Sequence, residues 1–142
     1  MSRVIDASVA TKWFFPEPGS TEAEALLGGE EPLLAPQLIV AEVCNVAWKR
    51  LRAGEITAEQ ATAAATEIGR MLDDVSALMP LAPRALEIAH ALRHPVYDCF
   101  YLALADSVDS RVVTADDTLV RRVAGTPWAT RVVPLMSRRP RR

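Results

Sequence analysis

Four acidic side chains stand where acids are out of place: Asp6, Glu42, Asp98 and Asp116. Asp6 follows Val4-Ile5 directly, and Asp116 follows Val112-Val113-Thr114-Ala115, each just beyond an apolar run that reads as a strand. In a sheet covered on both faces, ligand and catalytic groups gather at the carboxyl ends of the strands. Both residues equally suit a turn or a helix N-cap, ordinary uses of Asp. Asp98 is different. On a helix over 97–106 it falls between Tyr101, Leu102 and Ala105, with Cys99, Phe100, Ala103 and Leu104 around the rest of the circle, so this helix is expected to be largely buried. A carboxylate inside it must be paired, hydrogen-bonded or metal-bound; one capping its start would stay near the surface. Glu42 shares a narrow stripe with Asn45, Lys49 and Arg52, which fits either a solvent face or the wall of an acidic pocket.

Carboxylates converging on one point raise one another's pKa, and a divalent cation relieves the conflict. Oxygen donors without a Cys/His cluster favour Mg²⁺ or Mn²⁺ over zinc. Such an ion keeps positions for water and a phosphate, which suits phosphodiester hydrolysis. One metal or two would serve.

The elements that must position these acids alternate along the chain. Residues 3–5, 33–35, 77–79, 111–114 and 131–133 are short apolar runs expected as strands buried on both faces. Helices are expected over about 8–15, 21–28, 36–53, 58–72, 83–93, 97–107 and 117–124. Thr21 to Glu24 and Thr57 to Gln60 have capping-box spacing, Pro36 and Pro83 suit first turns, and Gly28-Gly29 and Gly54 mark helix ends. This alternation predicts a single three-layer α/β domain with a mainly parallel, roughly five-stranded sheet. The 142 residues suffice for a core that buries roughly 68–70% of the unfolded surface. Cys44 and Cys99 both lie in apolar runs, which excludes a disulfide framework or a four-Cys zinc site and suits a reducing cytoplasm. No apolar run approaches a membrane span. The chain carries 16 basic and 18 acidic residues, but four of the arginines fall in 137–142, so residues 1–136 hold 12 against 18. A body of charge −6 is a poor bulk binder of polyanions. Residues 137–142 are expected to form a basic, disordered tail.

The quartet and its surroundings resemble the PIN-domain ribonucleases, specifically the VapC-type toxins of bacterial toxin–antitoxin pairs. The resemblance rests on Val4-Ile5-Asp6-Ala7-Ser8-Val9, on Ala35-Pro36 with Ala41-Glu42-Val43 and Asn45, on Tyr97-Asp98-Cys99-Phe100-Tyr101-Leu102-Ala103-Leu104-Ala105, and on Val113-Thr114-Ala115-Asp116. It implies a PIN α/β/α sandwich over residues 1–136 whose acids meet at the carboxyl edge of the sheet. Asp6, Glu42, Asp98 and Asp116 take the family's acidic, metal-binding positions. Ser8 and Thr114 resemble the hydroxyl positions that support them. Asp116 is chosen over Asp117, which is read as the cap of the following helix. The resemblance further implies an Mg²⁺-dependent endoribonuclease (with Mn²⁺ as a substitute), an RNA substrate, a cognate VapB-type antitoxin and a homodimer; the cytoplasmic location is the expectation from the two thiols. Trp13, Phe14 and Phe15 would help line the antitoxin groove or else pack in the core.

Other chemistry finds less support. His90 and His94 fall on the polar arc of the helix over 83–93 and read as surface residues. There is no nucleophile elbow and no Gly-rich phosphate loop. A dehalogenase-like phosphoaspartate site wants an acid where Ser8 stands, and a receiver wants a late strand-end Lys, whereas the lysines are Lys12 and Lys49. The remaining alternative is a non-catalytic PIN fold that sequesters RNA or a protein.

Overall fold

A computed structural model describes residues 1–136; the expected basic tail lies outside the described residues. Five strands, β1 (Arg3–Ile5), β2 (Leu33–Pro36), β3 (Asp74–Ser76), β4 (Arg111–Thr114) and β5 (Val132–Pro134), form one parallel sheet in the order β3-β2-β1-β4-β5. Seven α-helices connect them: α1 (Ala7–Ala10), α2 (Ser20–Leu27), α3 (Leu38–Arg52), α4 (Ala58–Met71), α5 (Ala82–Leu92), α6 (Val96–Ser107) and α7 (Asp117–Val123). This is the expected α/β sandwich around a parallel five-stranded sheet. The central strands are the apolar ones: Val4, Ile5, Val112 and Val113 are at most 2% exposed, and burying each such side chain contributes roughly 1.5–3 kcal/mol.

Helix α6 crosses β1, β2 and β4, and α5 packs along it. Its buried residues, Cys99 and Tyr101 through Ala105, occupy nearly the whole circumference, as the missing polar face requires. Helices α3 and α4 form a second pair, with α1 joining α3 to the sheet. The Thr57–Gln60 capping box is formed reciprocally at the start of α4.

Several local expectations are corrected. The third strand is not 77–79 but 74–76. It lies at the sheet edge, where backbone pairing to β2 suffices without an apolar run, and Pro80 has no N–H with which to extend a ladder. Met79 is 87% exposed. The segment expected as a helix over 8–15 is the single turn α1 followed by a 3-10 turn over Thr11–Trp13. Pro36 closes β2 instead of opening α3. Helix α2 starts from left-handed Gly19 (φ 92°) without a side-chain cap, so the Thr21 capping box does not form.

Candidate active site

The β1–β4 register sets Ile5 opposite Val113. One step further, Asp6 donates its backbone N–H to Val113 O (3.1 Å) and lies beside Thr114. Both are buried, Asp6 at 5% and Thr114 at 0% exposure. Thr114 Oγ1 donates to Asp6 Oδ2 (2.8 Å), as does Ser8 Oγ (2.6 Å) from the first turn after β1. The direction of both bonds is fixed from behind. Asp116 N donates to Thr114 Oγ1 (3.0 Å) and Ala115 N donates to Ser8 Oγ (2.9 Å), so each hydroxyl hydrogen is free to point at the carboxylate. Burial pushes the Asp6 carboxyl above the usual value; the two hydroxyls pull it down, and the charge of Asp98 pushes it up again.

Asp98 enters from α6. Left-handed Arg93 (φ 51°) ends α5, Pro95 occupies the N-cap of α6, and Asp98 falls in the helix's first turn. It is therefore not the cap, and the first turn favours its negative charge. Its Oδ2 is held by His94 Nε2 at 2.6 Å. The His94 side chain is only 6% exposed, a correction to its reading as a surface residue; His90 is exposed as expected. The chain turns at Arg93, so the helical periodicity that placed His94 outside no longer applies there.

Glu42 is half-buried on α3, one turn beyond the buried Ile39 and beside buried Val43. Its Oε1 accepts a 2.7 Å bond from Tyr101 Oη. Burial raises the Glu42 carboxyl, the Tyr101 bond lowers it, and Asp6 and Asp98 raise it. Tyr101 is fully buried, and burial together with the surrounding acids holds its phenol well above the usual value, so it stays a neutral donor. Neither Tyr101 nor His94 was singled out from the sequence as a supporting residue; Tyr101 reads there as core and carries no polar signal. Cys99, buried next to Asp98, has its thiol pushed up to about 11, first by burial and then by that charge, which leaves it inert as a nucleophile.

Asp116 is the N-cap of α7: its Oδ1 accepts from Thr118 N at 2.8 Å. The cap is thus Asp116 and not Asp117, which is the first helical residue, reversing the expected division of labour. Asp116 nonetheless lines the same cavity as Asp6, Glu42 and Asp98, together with Ser8, Thr11 and Asn45. That cavity has a volume of about 280 Å³ and lies at the carboxyl edge of the sheet. Asp117 lies in a neighbouring depression with Lys12 and Thr114. Of the three aromatics, Phe15 is buried core, while half-buried Trp13 donates Nε1–H to Ala23 O at 2.8 Å.

The donor set fits a hard divalent cation in kind: four carboxylates, supported by hydroxyl, phenol and imidazole donors, with no thiolate among them. Each acid is held through one oxygen, Oδ2 of Asp6 and Asp98, Oε1 of Glu42 and Oδ1 of Asp116. Asp6, Glu42 and Asp98 are near enough to perturb one another electrostatically. Among the described residues, however, no three His, Cys, Asp or Glu side chains converge tightly enough to form a ready-made cluster. Unneutralised carboxylates repel.

Residues 3–125 match the PIN domain model. The chain belongs to the PIN domain family. It is 28% identical over 124 residues to ribonuclease VapC3 of Pyrobaculum aerophilum, covering 86% of this chain and 95% of that one. It is 35% identical over 101 residues to ribonuclease VapC1 of Mycobacterium tuberculosis, covering 70% and 73%. Among solved structures, a toxin–antitoxin complex from Klebsiella pneumoniae superposes with a TM-score of 0.66 at 18% identity, covering 95% of this chain and 98% of that one. The resemblance to VapC-type PIN domains read from the sequence is borne out.

Proposed function

We propose that this chain is a metal-dependent endoribonuclease that acts as the toxin of a type II toxin–antitoxin pair. The observation that carries the reading is the single cavity lined by Asp6, Glu42, Asp98 and Asp116, each bonded to its own protein donor. Mg²⁺, or Mn²⁺ in its place, would be held by these four carboxylates and would polarise a phosphoryl oxygen and activate water there. The chain's own contribution is orientation. Ser8 and Thr114 favour the charged form of Asp6 against the burial that raises its pKa, Tyr101 sets the rotamer of Glu42, and His94 that of Asp98. The VapC names of its relatives and the toxin–antitoxin structural neighbour support a ribonuclease neutralised by an antitoxin. A cytoplasmic homodimer is part of the same reading. No helix among the described residues is long and apolar enough to cross a membrane.

The test is cleavage of total RNA with Mg²⁺ present. Cleavage is expected to vanish in EDTA and in Asp6→Asn and Asp98→Asn proteins that retain the native circular-dichroism spectrum. Undiminished cleavage by either variant would overturn the mechanism. Because the carboxylates are not tightly clustered, a non-catalytic PIN fold that only binds RNA is the second reading, and RNA binding without any metal-dependent cleavage would establish it. Expression of the chain alone is expected to arrest growth, with rescue by a co-expressed antitoxin.

A further inference from the structure

One helix carries charge away from the acidic cavity. On α3, Glu42 and Asn45 line the cavity. Lys49 follows Glu42 by seven residues and Arg52 follows Asn45 by seven, so both continue the same face for two more turns, about 10–15 Å along the axis from Glu42. The opposite face, Ile39, Val43 and Ala47, is buried, and Lys49 and Arg52 are exposed.

These two cations are uncommitted. Among the described residues, Arg3, Lys12, Arg50, Arg70, Arg84 and Arg131 each meet a carboxylate within ion-pair distance, whereas Lys49 and Arg52 meet none, and neither do Arg93, Arg111, Arg121 and Arg122. Of these six, Lys49 and Arg52 are the two that continue the cavity-lining face of α3. Arg50, adjacent to Lys49 in sequence, is taken by Glu17 and lies over the Phe15 ring. Arg52 is held differently: its guanidinium sits 5.2 Å from the centroid of Trp48, a ring 52% exposed on the solvent side of the helix. Stacking on the ring orders the guanidinium without consuming its hydrogen-bond donors, which remain available for a phosphate.

In a body whose net charge is negative, two unpaired cations in line with a carboxylate cavity, one of them ordered on an exposed ring, suit an anionic chain that reaches the cavity. We propose that Lys49 and Arg52, with Trp48 as the platform for Arg52, form a backbone track for the RNA strand whose scissile phosphate enters the acidic cavity, contacting phosphates to one side of the cut. This rests on the ribonuclease reading. The track supplies affinity that the acids themselves oppose, and it fixes the direction in which the strand crosses α3. Contacts to phosphates carry no base information, so the track confers no sequence preference.

The test is binding of a fluorescein-labelled single-stranded oligoribonucleotide, followed by anisotropy in EDTA over a salt series. Removing two phosphate contacts is expected to lower the magnitude of the slope of log K against log salt by about 1.4 in Lys49→Ala/Arg52→Ala and to weaken binding about tenfold or more at low salt. Lys49→Arg/Arg52→Lys, which keeps both charges, is expected to retain the wild-type slope. Arg111→Ala, at the opposite, amino-terminal end of β4, is expected to change neither quantity. An Ala double variant with wild-type slope and affinity overturns the track while leaving the ribonuclease reading intact. Wild-type protein that neither binds nor cleaves RNA overturns both. Unchanged RNA binding with lost affinity for a co-purifying protein would reassign the surface to that partner.

Discussion

Replacing Thr114 by Val is close to isosteric, yet it removes a hydroxyl engaged on both sides. Its Oγ1 donates to Asp6 Oδ2 at 2.8 Å and accepts from Asp116 N at 3.0 Å, at a position with 0% exposure. A hydrogen bond to a charged group contributes about 1.5–3 kcal/mol, and an orphaned buried donor costs about 1–3 kcal/mol more. Asp116 N lies in a partly buried setting, so the lower end applies to it. The expected loss is about 2.5–4 kcal/mol where Asp6 is ionised, a large fraction of the stability of a small domain. Urea unfolding followed by far-ultraviolet circular dichroism measures it, with Thr114→Ser, which keeps the hydroxyl, as the control. The loss has a pH signature. Once Asp6 is protonated it no longer needs two donors, so the penalty is expected to shrink as pH falls below the raised Asp6 value. A loss under about 1 kcal/mol at the alkaline end of the series, or a loss that stays constant as pH falls, would refute the account of the two hydroxyls as donors that favour the charged form of Asp6.

Asp6 and Glu42 both titrate above their unfolded values, so in metal-free protein their contribution favours the fold below about pH 4 and is lost as pH rises through the folded values. The melting temperature of Asp6→Asn relative to wild type is accordingly expected to rise with pH in EDTA, a trend that scanning calorimetry at several pH values would reveal or exclude. Tyr101→Phe leaves Glu42 Oε1 without its 2.7 Å donor; a loss of about 1–3 kcal/mol is expected, along with weaker Mn²⁺ binding by calorimetric titration. His94→Ala is expected to weaken Mn²⁺ binding about 10–100-fold, with His94→Gln restoring most of it, and equal affinity in all three proteins would show that His94 does not orient Asp98.

The sequence was most legible where apolar periodicity ran uninterrupted. Helices α3, α4, α6 and α7 lie within two residues of their expected bounds, and the absence of a polar face on α6 correctly foretold its burial. Reading failed where a single backbone turn or a sheet edge decides the outcome. Edge strand β3 hides in Asp74-Val75-Ser76 because pairing with β2 holds it, while the more apolar 77–79 leads into a 3-10 turn. The left-handed turn at Arg93 reverses the facing of His94. The choice between Asp116 and Asp117 as cap hinges on a 2.8 Å contact to Thr118 N that no periodicity encodes. The four acids were individually ambiguous, and the β1–β4 register, the crossing of α6 and the packing of α3 on α1 and β2 bring them to one cavity.

The bond from Thr114 to Asp6 spans 108 residues, and the strands that carry it are neighbours at the centre of the sheet. A ribosome that has released only the first hundred residues has delivered Asp6, Glu42 and Asp98 but not the strand that seats the first of them. The cavity is therefore assembled only once β4 has emerged, and a polypeptide cut short before β4 lacks the donor that seats Asp6.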